Sequence, residues 1–367
     1  MILEQSFTRE WLQATSERFS KSVDLKLLEK VVRALSLLEQ LQRQQLDFVF
    51  KGGTSLILHF EQPRRFSIDI DIIMPNKPAN LFERFEAIIT SGAFRRWQDD
   101  SERATHSDIP VGHFKFYYIS QVDPQHPEEP ILLDILYTEP NYVSITEKPI
   151  RHPWLVTEEP LTIIRLPETD SLLGDKLTAF APNTTGILYS KQRPAEIVKQ
   201  LFDVAQLFDV ATDIEAIKVS FEKIAEEEIR FRRLEIDSSA VLDDIFQTSL
   251  ILAQRDAKDE NYNILLGGIQ RLKNFVIGGF TAEEAIVAGA KAAYLSQLLR
   301  ANQTTIHRYT KAEEITSWLI NDASFNRLNK LKKAQPEAFF YWYHALQLVE
   351  ALKEVQMSVN LRHLKEH

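Results

Sequence analysis

At 367 residues, 44% of them hydrophobic and 26% charged, the chain has the make-up of a soluble globular protein long enough for two domains. Cysteine is absent, which excludes a disulfide scaffold, a cysteine-based zinc finger and a thiol nucleophile, and fits a reducing cytosol. A net charge of −9 and a pI near 5.6 argue against non-specific coating of nucleic acid, without excluding a local basic groove.

The opening MILEQSFTREWLQ has no basic segment followed by an apolar run, so no signal peptide is expected. Nowhere does an apolar stretch approach the roughly 20 residues of a membrane helix, and a soluble cytoplasmic protein is the expectation. Residues 8–46 read as helix, because Leu25, Leu28, Val32, Leu35, Leu38 and Leu41 recur at three- and four-residue spacing. Residues 47–50 read as a short strand, broken by Lys51-Gly52-Gly53-Thr54-Ser55. A helix is expected from about Leu56, and Pro63 marks a turn. Residues 67–74, SIDIDIIM, alternate like a strand. Residues 80–90 look helical, with Asn80 as N-cap. Two β-rich runs, 112–121 and 131–137, flank the turn-like DPQHPEEP, and further strands are expected near 142–146 and 161–166. From Thr169 onward the chain reads as almost all helix, over 170–180, 194–210, 214–229, 240–254, 282–299 and 336–355. A mixed α and β half followed by a helical half is the simplest reading.

The chemistry lies in the first half. Residues two apart on a strand share a face, so Asp69 and Asp71 are expected to project together. Paired carboxylates repel unless a cation lies between them, and hard oxygen ligands suit magnesium or manganese. Gly52 and Gly53 allow a phosphate to approach the backbone, at the unpaired N–H groups of a helix starting beside them. Thr54 and Ser55 add hydroxyls, and Lys51 and Arg65 add charge or simply point to solvent. Asp134, in the apolar run ILLDILY, is the candidate third carboxylate, since a buried lone Asp needs a partner. Taken alone, a Gly-Gly pair is an ordinary turn and SIDIDIIM an edge strand. Their combination points to catalysis on a metal-bound triphosphate and not to structure alone.

Lys51-Gly52-Gly53-Thr54-Ser55-Leu56 followed by Arg65-Phe66-Ser67-Ile68-Asp69-Ile70-Asp71 resembles the AbiEii/AbiGii toxin family of nucleotidyltransferases, the toxins of type IV toxin–antitoxin and abortive-infection systems. The resemblance runs over about residues 48–207. It implies an α+β fold, with a DNA polymerase β-like nucleotidyltransferase core carrying a mixed sheet and a helical C-terminal domain after it. On that reading residues 1–46 are helices packing on the core, 47–210 the core and 211–367 the helical domain. Two later motifs also match, Asp175-Lys176-Leu177-Thr178-Ala179 and, after Arg193, Lys199-Gln200-Leu201-Phe202-Asp203-Val204. They imply that Lys176 contacts nucleotide phosphates and that Asp203 belongs to the active-site surround. Gln200 stands where the family usually has an acidic residue. By their residues alone, Lys199 and Asp203 form an intrahelical ion pair and Lys176 a solvated charge.

The combined expectation is transfer of a nucleoside monophosphate from a nucleoside triphosphate to an acceptor hydroxyl, on a tRNA 3′ end by the resemblance. Asp69, Asp71 and Asp134 would hold the metal and catalyse together with Lys176 and Asp203. Gly52, Gly53, Thr54, Ser55, Arg65, Ser67 and Lys199 would bind the nucleotide. The resemblance also implies a cognate antitoxin as genetic partner. Competing readings are a glycosyltransferase using Asp-x-Asp, and a non-catalytic binding module on the same fold. His59, His106, His113, His126 and His152 show no metal-like spacing and no nucleophile partner for Ser55. Phe114, Phe116, Tyr117 and Tyr118 read as strand core. Two basic clusters, Arg230, Arg232 and Arg233, and Arg327, Lys330, Lys332 and Lys333, read as solvated faces.

Overall fold

A computed structural model describes residues 1–21, 23–100 and 109–363, so His106 lies outside the described residues. By compactness the chain forms two units. One holds Met1–Glu168 with Asn274–Gly279, the other Thr169–Lys273 with Phe280–His367.

The first unit opens with α1 (Arg9–Ser16) and α2 (Leu25–Arg43), not one continuous helix. The break follows from a second start signal: Asp24 accepts the Lys26 N–H and begins α2 anew. Then come β1 (Val49–Lys51), α3 (Gly52–His59), β2 (Ile70–Ile73), α4 (Leu81–Thr90), β3 (Arg96–Asp99), β4 (Val111–Ile119) and β5 (Glu128–Leu136). Asn80 does occupy the N-cap of α4, yet its side chain makes no cap bond there; it accepts from Arg84 Nε at 3.1 Å instead. The five strands form one mixed sheet in the order β1-β2-β5-β4-β3. β2 runs parallel to β5, and the other neighbours are antiparallel. β6 (Ile145–Pro149) and β7 (Ile163–Pro167) form a separate antiparallel pair.

Alternation decides which face is core. Phe50, Ile70, Ile72, Phe114, Phe116, Tyr118, Ile131, Leu133 and Ile135 are buried in one cluster with Leu28, Val31, Leu35 and Leu38 of α2 and Phe85 of α4. Phe85 meets Phe114 and Phe116 edge-on at 5.1 and 5.0 Å. Each such aromatic contributes on the order of 2 kcal/mol by burial. Tyr117, expected in the core, has the opposite parity and lies beneath the Arg96 guanidinium at 3.4 Å. Residues 274–279 close the unit. Phe66 N donates to Phe275 O at 2.8 Å and Ile277 N to Arg64 O at 2.7 Å, which pins the segment leading to β2.

The second unit is helical. It comprises α5 (Thr169–Ala179), α6 (Pro194–Val210), α7 (Ile214–Arg232), α8 (Ser238–Gln254), α9 (Glu260–Leu272), α10 (Ala282–Arg300), α11 (Leu331–Ala334) and α12 (Pro336–His363). Asp213, Asp237 and Asp259 cap α7, α8 and α9, and Thr281 with Glu284 makes a capping box for α10. α10 is buried nearly all round and packs against α8 and α12. The two basic clusters hold structure here: Arg232 donates to Gly186 O at 3.0 Å, and Lys332 donates to Trp318 O.

Candidate active site

Register brings four polar side chains onto one rung of the sheet. Lys51 of β1 stands opposite Asp71 of β2, Asp71 opposite Asp134 of β5, and Asp134 opposite His113 of β4. Residues directly opposed in neighbouring strands share a face. That face is the one turned away from the core, since Phe50, Ile72, Ile135 and Phe114 occupy the other parity. The Asp134 side chain is 42% exposed. Its apolar flanks therefore do not bury it as the sequence suggested: every second residue of β5 faces out. His113, which carried no functional reading from spacing, places Nδ1 2.7 Å from Asp134 Oδ1. Strand parity is the signal that would have found it.

The glycine turn presses against this rung. Gly52 has φ of +77°, and a Cβ there would lie 2.1 Å from Asp71 Oδ2, so backbone and carboxylate are in contact and only glycine fits. A Cβ on Gly53 would lie 2.2 Å from Arg65 Nη2 and 2.9 Å from Ser67 Oγ, which puts both side chains over the turn. Arg65 is buried and donates from Nη1 to Phe66 O at 3.0 Å. α3 begins at Gly52, four residues before the expected start, so its first unpaired N–H groups belong to the glycine turn itself. Thr54 and Ser55 are fully buried. Thr54 Oγ1 donates to Asp69 O at 2.5 Å and Ser55 Oγ to Gly52 O at 2.8 Å. Both hydroxyls thus fix the shape of the turn. Asp69 sits one residue before β2, which starts at Ile70, and β1 ends at Lys51 opposite Asp71.

A divalent cation fits the donor chemistry. Asp71 and Asp134 are hard oxygen donors on adjacent strands at an open face. Among the described residues no group of three His, Cys, Asp or Glu side chains is placed to hold a metal ion together. Two carboxylates with open positions suit magnesium, which completes its shell with water and substrate phosphates. His59 behaves differently. Burial holds its pKa down at about 4, and its Nε2 lies 2.9 Å from Pro167 O, as a neutral donor to that carbonyl.

Lys176 and Asp203 belong to the helical unit. Lys176 Nζ lies 3.0 Å from Asp203 Oδ2, with the side chains 7% and 0% exposed. It also donates to Gln200 Oε1 at 3.2 Å. The solvated lysine that helical pattern suggested is instead a buried one, because α5 packs on both α6 and α7. Lys199 Nζ lies 2.9 Å from Glu196 Oε1.

Residues 36–270 match the model of a protein family described as nucleotidyl transferase AbiEii toxin, type IV toxin–antitoxin system. The chain belongs to the AbiEii family. It is accordingly a nucleotidyltransferase, and membership implies a nucleotide substrate and an antitoxin partner. None of the curated proteins matches this AbiEii chain. Among solved structures it is similar to JHP933 from Helicobacter pylori, at 18% identity and TM-score 0.45, over 77% of this chain and 96% of that one. An antigenic nucleotidyltransferase-like protein from Paracoccidioides brasiliensis is 12% identical at TM-score 0.34, over 58% of this chain and 96% of that one. Among the described residues, no helix of the AbiEii chain is long and apolar enough to cross a membrane.

Proposed function

We propose that this AbiEii-family enzyme transfers a nucleoside monophosphate from a nucleoside triphosphate to the 3′ hydroxyl of a tRNA, using Asp69, Asp71 and Asp134 around magnesium or manganese. The observation that carries the chemistry is the rung on which Asp71 and Asp134 stand opposite each other, with Gly52 against Asp71. The acceptor rests on the likeness to toxins that extend tRNA, since a net charge of −9 gives it no independent support.

When bound, a divalent cation neutralises triphosphate charge and lowers the pKa of the attacking hydroxyl. The chain's own groups do the rest. Asp69, Asp71 and Asp134 would hold that cation. The N–H groups of Gly52 and Gly53 receive the leaving pyrophosphate, and Arg65 and Ser67 approach it from above the turn. Asp134 takes the acceptor proton on Oδ2 while His113 holds Oδ1. Positioning and charge neutralisation dominate such reactions, so the residues that fix geometry matter as much as those that titrate.

The test is incubation of the protein with magnesium, cellular RNA and each α-labelled nucleoside triphosphate in turn. Label is expected in tRNA-sized RNA, and the Asp69→Ala/Asp71→Ala protein should incorporate at least ~1000-fold less. Label in protein would keep the chemistry and move the acceptor. Equal incorporation by the double variant would end the reading of the carboxylates.

A further inference from the structure

The sheet's other face holds a feature that nucleotidyl transfer does not use. Arg33 of α2 is buried, 9% exposed, in the core side of the first unit. Its guanidinium lies 4.1 Å above the Phe7 ring and 5.0 Å from that of Tyr118. Tyr118 has the parity opposite to His113 on β4, so Arg33 lies across the sheet from the carboxylate rung. Among the described residues no oxygen accepts a hydrogen bond from Arg33, and its Nε is enclosed without a partner.

A guanidinium carries five N–H donors and a charge that burial makes costly. Two ring faces return only part of what desolvation of an ion costs. The acid whose charge acts on Arg33, Glu29, accepts from Ser120 Oγ at 2.6 Å and from the Gln121 N–H at 2.7 Å. Glu29 acts on Arg33 only as a neighbouring charge, and burial holds the Arg33 pKa below its ordinary value.

Arg33 lines a cavity of about 420 Å³, together with Ser36, Gln40 and Arg43. These four recur on α2 at spacings of three, four and three, which makes one polar stripe on a helix otherwise packed with leucine and valine. Glu4 and Glu39 also line the space. The Glu39 carboxylate is held by the Ile2 N–H at 3.0 Å and Thr162 Oγ1 at 3.1 Å. Glu4 is exposed, where water and salt screen it. Two buried charges line the space, and while the Glu39 oxygens are taken, Arg33 has an enclosed Nε without a hydrogen-bond partner. We propose that this cavity is a binding site for a small oxyanion, a phosphate- or carboxylate-bearing molecule held by the Arg33 guanidinium, with Ser36, Gln40 and Arg43 along its wall. Its volume lies within the usual range for small-ligand sites.

The test uses the full chain without divalent metal, in the Asp69→Ala/Asp71→Ala background, so that the carboxylate rung takes no part. Inorganic phosphate, pyrophosphate and citrate are titrated separately at constant ionic strength, with chloride as control, by calorimetry and by melting temperature. A saturable rise in melting temperature is expected with at least one of the three; which one separates phosphate from carboxylate sources. Arg33→Met should weaken that binding by at least ~10-fold, as loss of a charge-assisted contact does. It should also melt no lower than its parent without ligand, because an apolar residue replaces a poorly compensated buried ion. Arg43→Gln, nearer the surface, should weaken binding a few-fold and keeps the question answerable if Arg33→Met does not fold. Hydrogen exchange in saturating anion should slow in residues 4–8 and 25–43. Chloride-like behaviour of all three probes would overturn the proposal. So would binding that survives both substitutions unchanged, or exchange protection confined to other segments.

Discussion

Two acid–base constellations of this enzyme are built from the same residue types and live in opposite surroundings. On the sheet, Lys51, Asp71 and Asp134 share an open rung, with Asp134 42% exposed. In the helical unit, Lys176 and Asp203 face each other at 3.0 Å with almost no exposure. Charges that stay wet interact weakly and can exchange a neighbour for a ligand. Charges that are dry attract strongly but hold only while both partners remain. The open rung can exchange a neighbour for a ligand, whereas Lys176 and Asp203 hold each other between α5 and α6.

The largest expected effect separates the two. Asp203→Ala leaves Lys176 charged in the core and should destabilise the protein by about 3–5 kcal/mol. The double substitution Lys176→Met/Asp203→Leu should recover most of that loss, since apolar residues can replace a buried pair. Asp71→Asn, at the open rung, should change stability by no more than about 1 kcal/mol while removing activity. Denaturant unfolding followed by circular dichroism measures all three. If Asp203→Ala proves as mild as Asp71→Asn, the contrast between wet and dry charges collapses.

A smaller effect probes how tightly the open rung is shaped. Gly52→Ala adds a methyl 2.1 Å from Asp71 Oδ2 at a φ of +77°. Backbone strain should lower stability by about 1–2 kcal/mol. Displacing the carboxylate should lower kcat about 100-fold, the order expected of a 1 Å misplacement. Steady-state kinetics at saturating metal would show whether added magnesium restores it. Full restoration would mean that Asp71 tolerates movement and the turn is no template.

Much of this was readable in the residues, and the reason varies by element. The α6 helix was legible because its apolar residues recur at helical spacing from Pro194, a favoured first-turn residue. β3 was invisible, since Arg96-Trp97-Gln98-Asp99 is an exposed edge strand with no apolar alternation. α9 was not among the expected helices; it carries Gly267 and Gly268, and glycine is a poor helix former. At the site, the Asp-x-Asp pair and the glycine turn follow from local spacing. The pairing of Asp134 with His113 does not, because it depends on which strands become neighbours and in what register. Lys176 meeting Asp203 depends likewise on how α5 packs against α6.

That register supplies the smallest of the three effects. His113 Nδ1 and Asp134 Oδ1 are 2.7 Å apart on the open face, and His113 touches no nucleotide in the proposed mechanism. Its task is to hold one carboxylate oxygen so that the other points at the acceptor hydroxyl. His113→Ala removes the donor and leaves Asp134 in place, free to sample other rotamers. Losing one hydrogen bond of positioning should reduce kcat about 10-fold, with KM for the nucleoside triphosphate nearly unchanged. An asparagine amide can donate from nearly the same place as Nδ1, so His113→Asn should regain part of the loss. A purely structural histidine would behave otherwise. Alanine and asparagine would then be equally impaired, and the melting temperature would fall with kcat. The open rung would in that case resemble the buried pair after all, with its partners chosen for the fold and not for the substrate.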